Sequence, residues 1–300
     1  MSDQTRFRRI GARGIVLALG VALTGVAIPA SPALATVPGL LRMASSSPTG
    51  SANYQSATAI CPLGKVLVGT GYEILGGNGE VTVDDFRVNG GPATAPTAVT
   101  VGAYEIDEFA GSWTVKAYAV CADPVVGTVR VAAVTPDDSA DFHTVTAECP
   151  SGKVLTGSGF ELREITGKGI VDELRPDGTV SSAPTGVTLG AYEADPFYGD
   201  WSATVYAICA DPLPGLVQST AISAPTTSDF MNIVAICPPG KVLLGGGYDL
   251  RDAFGEVVVD DFAPDGGPAT SPVSIIAGAF QEDPYLDDWT IRAFGLCANL

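Results

Sequence analysis

The side chains with chemistry to offer recur on a single period. Cys61, Cys149 and Cys237 fall 88 residues apart, as do Cys121, Cys209 and Cys297, and as do Trp113, Trp201 and Trp289. Carboxylates follow the same rule: Asp84, Asp172 and Asp260; Asp85, Glu173 and Asp261; Asp107, Asp195 and Asp283. Oxygen donors of this kind suit Ca²⁺, which makes Asp84, Asp172, Asp260, Asp107, Asp195 and Asp283 the calcium candidates. No Asp-x-Asp-x-Asp-Gly loop frames them, and acids along strands also keep β proteins from pairing edge to edge. A glycosidase pair would belong in a cleft; three equivalent copies with nothing to tell them apart argue against an enzyme. The tryptophans admit two readings. Exposed at the same place in each unit, they form platforms for sugar rings, with Tyr104, Tyr192 and Phe280 as further candidates and repetition supplying avidity. Buried, they are core.

His143 is the only histidine, and its equivalents are Gln55 and Met231. That excludes a catalytic triad or histidine metal centre common to the units, and His143 is expected to be a solvated loop residue. Gly64-Lys65, Gly152-Lys153 and Gly240-Lys241 lack the upstream spacing and the following Ser/Thr of a phosphate loop. These lysines are expected to cap a turn or pair with nearby acids. No residue is assigned a catalytic role, and calcium is the one cofactor considered.

The elements that must position these residues come from the repeat. Thr36 to Asn299 reads as one unit written three times without insertion or deletion, the mark of a repeat architecture. The units span residues 36–123, 124–211 and 212–300. Each holds six short strand-like runs between turn signals, with almost no helical periodicity. Asn89-Gly90, Asp177-Gly178 and Asp265-Gly266 are turn pairs that tolerate positive φ. The fold class is all-β: three tandem sandwich-like units with one disulfide each, a closed pseudo-threefold β-prism being the alternative. The joins Asp123-Pro124-Val125-Val126-Gly127 and Asp211-Pro212-Leu213-Pro214-Gly215 are short and stiff, which favours a row of abutted domains.

Units this small gain from a staple. Pairing Cys61–Cys121, Cys149–Cys209 and Cys237–Cys297 treats every unit alike. Joining Cys121–Cys149 and Cys209–Cys237 instead strands Cys61 and Cys297 unless the ends meet. Loop entropy, roughly 4 kcal/mol in either case, does not separate the two. If Cys61 and Cys121 face each other on antiparallel neighbours, the register sets Gly69 opposite Trp113. The indole would then cover a residue with no side chain, which would explain glycine inside a strand-like run at Gly69, Gly157 and Gly245.

Residues 1–35 stand outside the repeat. Arg6, Arg8, Arg9 and Arg13 precede an apolar run from Ile15 to Ile28, and Ala33-Leu34-Ala35 is a small-x-small cleavage site. Together they read as a bacterial secretory signal peptide, exported by the Sec route or, from Phe7-Arg8-Arg9-Ile10, the twin-arginine route. The apolar run is shorter than a membrane helix needs, so no membrane insertion is expected after cleavage. Export also permits disulfides. The chain carries 16 Lys and Arg against 33 Asp and Glu, a net charge of −17. Binding to nucleic acid or an anionic membrane through bulk charge is excluded.

The pattern Cys-Pro-x-Gly-Lys-Val…Gly-x-Gly…Trp…Tyr-Ala-x-Cys-Ala resembles repeats of secreted bacterial proteins of uncharacterised function, and it covers all three units. The Cys-Pro-x-Gly segments are also similar to those of vitelline membrane outer layer proteins, a likeness that implies a three-part β-prism. The repeat here is longer and its register differs, so no site residue is carried over. The expected function is that of a secreted, non-catalytic, multivalent binder of an extracellular polysaccharide or cell-envelope polymer. A structural surface or coat protein is the first alternative, and an extracellular hydrolase or hydrolase inhibitor the second.

Overall fold

The computed structural model describes residues 37–300 except Ala93, Ser181, Asp195 and Pro196. The leader expected over residues 1–35 and the calcium candidate Asp195 lie outside the described residues. Turn residues cut each unit into short runs rich in β-branched and aromatic side chains, which suit a pleated surface. The described residues form 18 strands and no helix. Unit one contributes β1 (Leu41–Ser46), β2 (Tyr54–Ile60), β3 (Val66–Leu75), β4 (Val81–Val88), β5 (Ala98–Glu105) and β6 (Thr114–Ala122). Unit two contributes β7 (Val129–Val134), β8 (Phe142–Glu148), β9 (Val154–Arg163), β10 (Gly169–Pro176), β11 (Gly186–Glu193) and β12 (Ser202–Ala210). Unit three contributes β13 (Val217–Ile222), β14 (Phe230–Ile236), β15 (Lys241–Arg251), β16 (Val257–Pro264), β17 (Ser274–Gln281) and β18 (Thr290–Asn299).

These strands sort into three six-stranded sheets, ordered β1-β6-β3-β16-β17-β14, β13-β18-β15-β10-β11-β8 and β2-β5-β4-β9-β12-β7. Each sheet takes three strands from one unit and three from another. A unit is thus a two-layer wedge, sandwich-like as expected: in unit one, β1, β6 and β3 form one layer and β2, β5 and β4 the other. Both layers continue into neighbours, with β3 pairing with β16, β4 with β9 and β10 with β15. Because every unit shares a sheet with each of the other two, the ring closes. The pseudo-threefold prism describes the molecule, and the row of abutted domains does not. Stiff joins fit either arrangement; hydrogen bonds between strands of different units decide it.

The disulfides are Cys61–Cys121, Cys149–Cys209 and Cys237–Cys297. Each ties the two layers of its wedge together, since Cys61 follows β2 while Cys121 lies in β6 of another sheet. The cysteines are therefore not neighbours within one sheet, and the register expected for Gly69 is overturned. Gly69 pairs with Val120 after a bulge, and Trp113 bridges Gly50.

The glycine has a different reason. A Cβ on Gly69 would stand 1.7 Å from the Leu244 carbonyl oxygen and 2.8 Å from Cα of Gly245. One on Gly157 would stand 2.7 Å from Cα of Gly69, and one on Gly245 3.0 Å from Cα of Gly157. The three glycines meet around the pseudo-threefold axis, where backbone packs directly on backbone. Next to them Tyr72, Phe160 and Tyr248 interlock with Phe86 and Phe262 in edge-on contacts, Tyr72 to Phe86 at 5.1 Å and Phe86 to Phe160 at 5.6 Å between centroids. All five rings are buried, and this layer anchors the strands that carry the surface residues.

Candidate functional site

The repeated tryptophans have no exposed surface. Trp113 donates its indole N–H to Glu105 Oε1 at 3.0 Å, and Trp201 donates to Glu193 Oε1 at 3.1 Å and to the Ala140 carbonyl at 2.9 Å. Gln281 replaces the glutamate in unit three, and the Trp289 N–H has no acceptor among the described residues. A fully covered indole offers no platform to a sugar ring, so the core reading describes all three.

Tyr104, Tyr192 and Phe280 do reach the surface, half-buried. Each stacks on an aromatic that sequence reasoning missed: Tyr54 at 4.5 Å, Phe142 at 4.4 Å and Phe230 at 4.3 Å between centroids. The pairs occupy facing positions on β2–β5, β8–β11 and β14–β17. The period was the signal that would have found Tyr54, Phe142 and Phe230, since they too lie 88 apart.

Where each sheet passes from one unit to the next, two acids stand directly opposite: Asp85 and Glu161, Glu173 and Asp249, Asp261 and Glu73. Like charges at facing positions weaken strand pairing, and donors gather to offset this. Arg87 and Arg163 reach Glu161 at 3.3 and 3.1 Å, and the Tyr206 hydroxyl donates to it at 2.6 Å. Arg175 pairs with Glu173, and Arg251 with Asp249 at 3.1 Å. Lys116 holds Glu73 at 3.0 Å with the Tyr118 hydroxyl beside it.

A third acid precedes each pair. Asp84, Asp172 and Asp260 sit at bulges in β4, β10 and β16, and all three are buried; bulges re-aim a side chain in this way. Asp84 Oδ2 accepts from the Gly167 N–H at 2.8 Å and Asp172 Oδ2 from the Gly255 N–H at 3.2 Å, so each holds the turn of the following unit. Oδ1 of all three has no hydrogen-bond partner among the described residues. Burial pushes the carboxyls up, to about 7 for Asp84 and about 8 for Asp172 and Asp260. The neutral acid therefore persists to near-neutral pH.

The remaining candidates separate. Asp107 and Asp283 are exposed, Asp107 pairing with Lys168 at 2.9 Å. Among the described residues, no group of three or more acid, histidine or cysteine side chains is placed to hold a metal ion. His143 is not a solvated loop residue. It lies on β8 with its ring edge-on to Trp201, 4.2 Å between centroids, and is buried. Strand alternation turns this position inward, and in unit one Gln55 fills the same slot, donating to the Trp113 and Gly50 carbonyls. The lysines do what their setting suggested: Lys65 donates to the Gly39 carbonyl at 2.7 Å and pairs with Asp123 at 2.6 Å, and Lys153 repeats this with Gly127 and Asp211.

Each junction thus presents an aromatic pair, a facing acid pair and a buried acid, and the set can stack on a ring face, accept hydrogen bonds and attract cations. Comparison with known proteins finds no protein-family model that matches the chain and no similar curated protein.

Proposed function

We propose that this is an exported, non-catalytic binding protein that holds an extracellular glycan or cell-envelope polymer on three equivalent surfaces. The observation that carries the reading is the threefold recurrence of a half-buried aromatic pair at each unit junction, where opposed acids face one another across the strands. Aromatic faces stack on the apolar faces of sugar rings, and carboxylates accept hydrogen bonds from hydroxyls. On one rigid scaffold, three such contacts engage a polymer together, and avidity exceeds any single contact. Three disulfides suit an oxidising compartment, and the N-terminal leader supplies the route to it.

Retention on insoluble polysaccharides and isolated cell walls, with and without calcium, tests the reading. The wild-type protein is expected to be retained. Tyr104→Ala, Tyr192→Ala and Phe280→Ala should each weaken retention, and the triple variant should lose it. A triple variant held as firmly as wild type would sink the idea, as would passage of the wild type through every matrix. The reading as a surface or coat protein draws on a separate observation. Strands β2 and β14 end their sheets and expose Ile60 and Ile236, leaving edges open to pairing with other copies. Concentration-dependent assembly in sedimentation velocity would favour it; a monomer at all concentrations would remove it.

A further inference from the structure

The three junctions share a plan but not a filling. In the turn between β15 and β16, unit three carries Phe254 where unit one has Asn78 and unit two Thr166, and Glu256 where they have Glu80 and Lys168. Phe254 holds a backbone φ of 50°, in the left-handed region that asparagine tolerates and a bulky side chain resists by about 1–2 kcal/mol. Phe254 is 60 % exposed and its ring stands edge-on to Tyr192 at 6.3 Å, while Tyr192 lies tilted against Phe142. An exposed aromatic is thus held in a strained conformation where a small polar residue would be at ease, a combination that gathers at functional sites. The three rings wall a recess of about 100 Å³ whose lining includes Asp172, Glu173 and Asp252. A groove of about 550 Å³ adjoins it and shares Tyr192 and Phe254.

Asp172 points to what the recess takes. It is 5 % exposed, its Oδ2 is engaged by the Gly255 N–H, and its Oδ1 has no partner among the described residues. Around it, Glu173 carries Arg175 and Asp249 carries Arg251. No ion pair among the described residues reaches Asp252 or Glu256, and Glu256 stands where the first junction has a lysine. A hard metal ion does not suit such a place, since Ca²⁺ takes six to eight oxygens and much of this wall is hydrocarbon. A cation carried on an apolar body suits both halves of the lining.

We propose that the junction of units two and three binds an organic ammonium group, seated against Phe142, Tyr192 and Phe254, with Asp252 and Glu173 as counter-charge and the unpartnered Oδ1 of Asp172 beside them. The hydrocarbon stem runs into the adjoining groove. This is one site per chain, built on the second of the three aromatic pairs and completed by Phe254, which the other two junctions lack; it rests on the geometry of that junction and not on polymer binding.

Isothermal titration of the full protein with choline, n-butylammonium and pentalysine, against the neutral choline isostere 3,3-dimethylbutan-1-ol, tests it. One site per chain is expected for choline and butylammonium, with the neutral isostere at least about tenfold weaker. Glu256→Lys should weaken both amines by a similar factor. Phe254→Asn places in unit three the residue that unit one carries at the same φ. It is expected to raise the thermal midpoint while abolishing amine binding, a pairing that a merely structural role for Phe254 would not give. Tighter binding of pentalysine than of butylammonium assigns the ammonium to a polymer, and the reverse order to a free amine. Absence of binding at millimolar amine, equal binding of the isostere, three equal sites per chain, or unchanged affinity in Phe254→Asn would overturn the proposal.

Discussion

At the prism axis, Gly69, Gly157 and Gly245 press backbone on backbone and all three units carry the same residue. At the junctions, the equivalent positions have drifted apart: Asn78, Thr166 and Phe254 in one turn, Arg42, Arg130 and Gln218 on the flanking strand, Glu105, Glu193 and Gln281 under the indole. The difference lies in what each place contacts. An axial residue meets its own copies, so one substitution is felt by all three units. A junction residue meets only one neighbouring unit, and each junction is free to take its own chemistry. Repetition therefore protects the scaffold and leaves the surface sites open to divergence.

The sharpest way to break this contrast is a single methyl group. Gly69→Ala sets a Cβ 1.7 Å from a backbone oxygen that cannot withdraw without moving the axis, which places it among the rare substitutions costing more than about 4 kcal/mol. Gly91→Ala, in a surface loop with nothing within 4 Å of the added atom, should change stability by less than about 0.5 kcal/mol. Urea unfolding of the two variants gives the comparison directly, and a Gly69→Ala protein as stable as Gly91→Ala would end the axial argument.

The next effect belongs to the junctions alone. Asp84, Asp172 and Asp260 are raised by burial to about 7, 8 and 8, so the folded protein holds these protons more tightly than the unfolded chain. Their contribution is most favourable at low pH. It is lost as pH climbs from the ordinary carboxylate value through the folded values, and levels off about one pH unit above the highest of them. Each group adds up to about 1.4 kcal/mol per pH unit to that decline. The urea midpoint should fall between pH 5 and pH 8, and Asp84→Asn/Asp172→Asn/Asp260→Asn should flatten the fall. A midpoint that rises over this range would show that the buried carboxyls are already ionised.

What the sequence made legible follows the same division. Turn pairs and strand-like runs gave the six strands of a unit, the period chose the disulfide partners, and the lysine contacts followed from their turn, because each of these is settled inside one unit. Sheet sharing was out of reach: β4 and β9 carry the same alternation whether they pair with each other or end at a domain surface. The axial glycines were misread for a related reason, since the partner of Gly69 is its own equivalent in the other units, and no pattern within a unit points there. His143 was misplaced by a phase error, a strand position taken for loop. Tyr54, Phe142 and Phe230 carry the same spacing, but only the pairing of β2 with β5, β8 with β11 and β14 with β17 sets them against Tyr104, Tyr192 and Phe280.

A smaller effect tests whether one junction can be turned into another. Arg42 and Arg130 lie over the rings of Tyr118 and Tyr206 and donate to the Pro264 and Val88 carbonyls at 2.8 and 2.9 Å. Gln218 takes that place in unit three, its Oε1 unpartnered among the described residues, beside a cavity of about 350 Å³. Arg292 lies over Phe294 in the same cavity and would repel a second guanidinium. Gln218→Arg together with Arg292→Thr, which copies unit two, should stabilise the protein by about 1–2 kcal/mol, and Gln218→Arg alone by less. Equal thermal midpoints for the double variant and wild type would mean that the slot is not equivalent across units.

The finest change is one atom in size. Glu105 and Glu193 accept the indole N–H of Trp113 and Trp201, whereas Gln281 Oε1 takes the Tyr285 N–H and leaves the Trp289 N–H without an acceptor. A buried donor left unpaired costs about 1–3 kcal/mol, and its bond to a carboxylate is among the stronger kinds. Gln281→Glu also removes the amide N–H₂ that now donates to the Thr227 and Tyr285 carbonyls, so the net gain should be about 1 kcal/mol. The indole Nε1–H resonance of Trp289 is expected to move downfield toward those of the other two tryptophans as the bond forms. Glu105→Gln should run the change backwards in unit one, shifting only the Trp113 resonance and lowering stability by a similar amount. If Gln281→Glu left the Trp289 resonance in place, the third indole would have another partner, and the three pockets beneath the tryptophans would be equivalent after all.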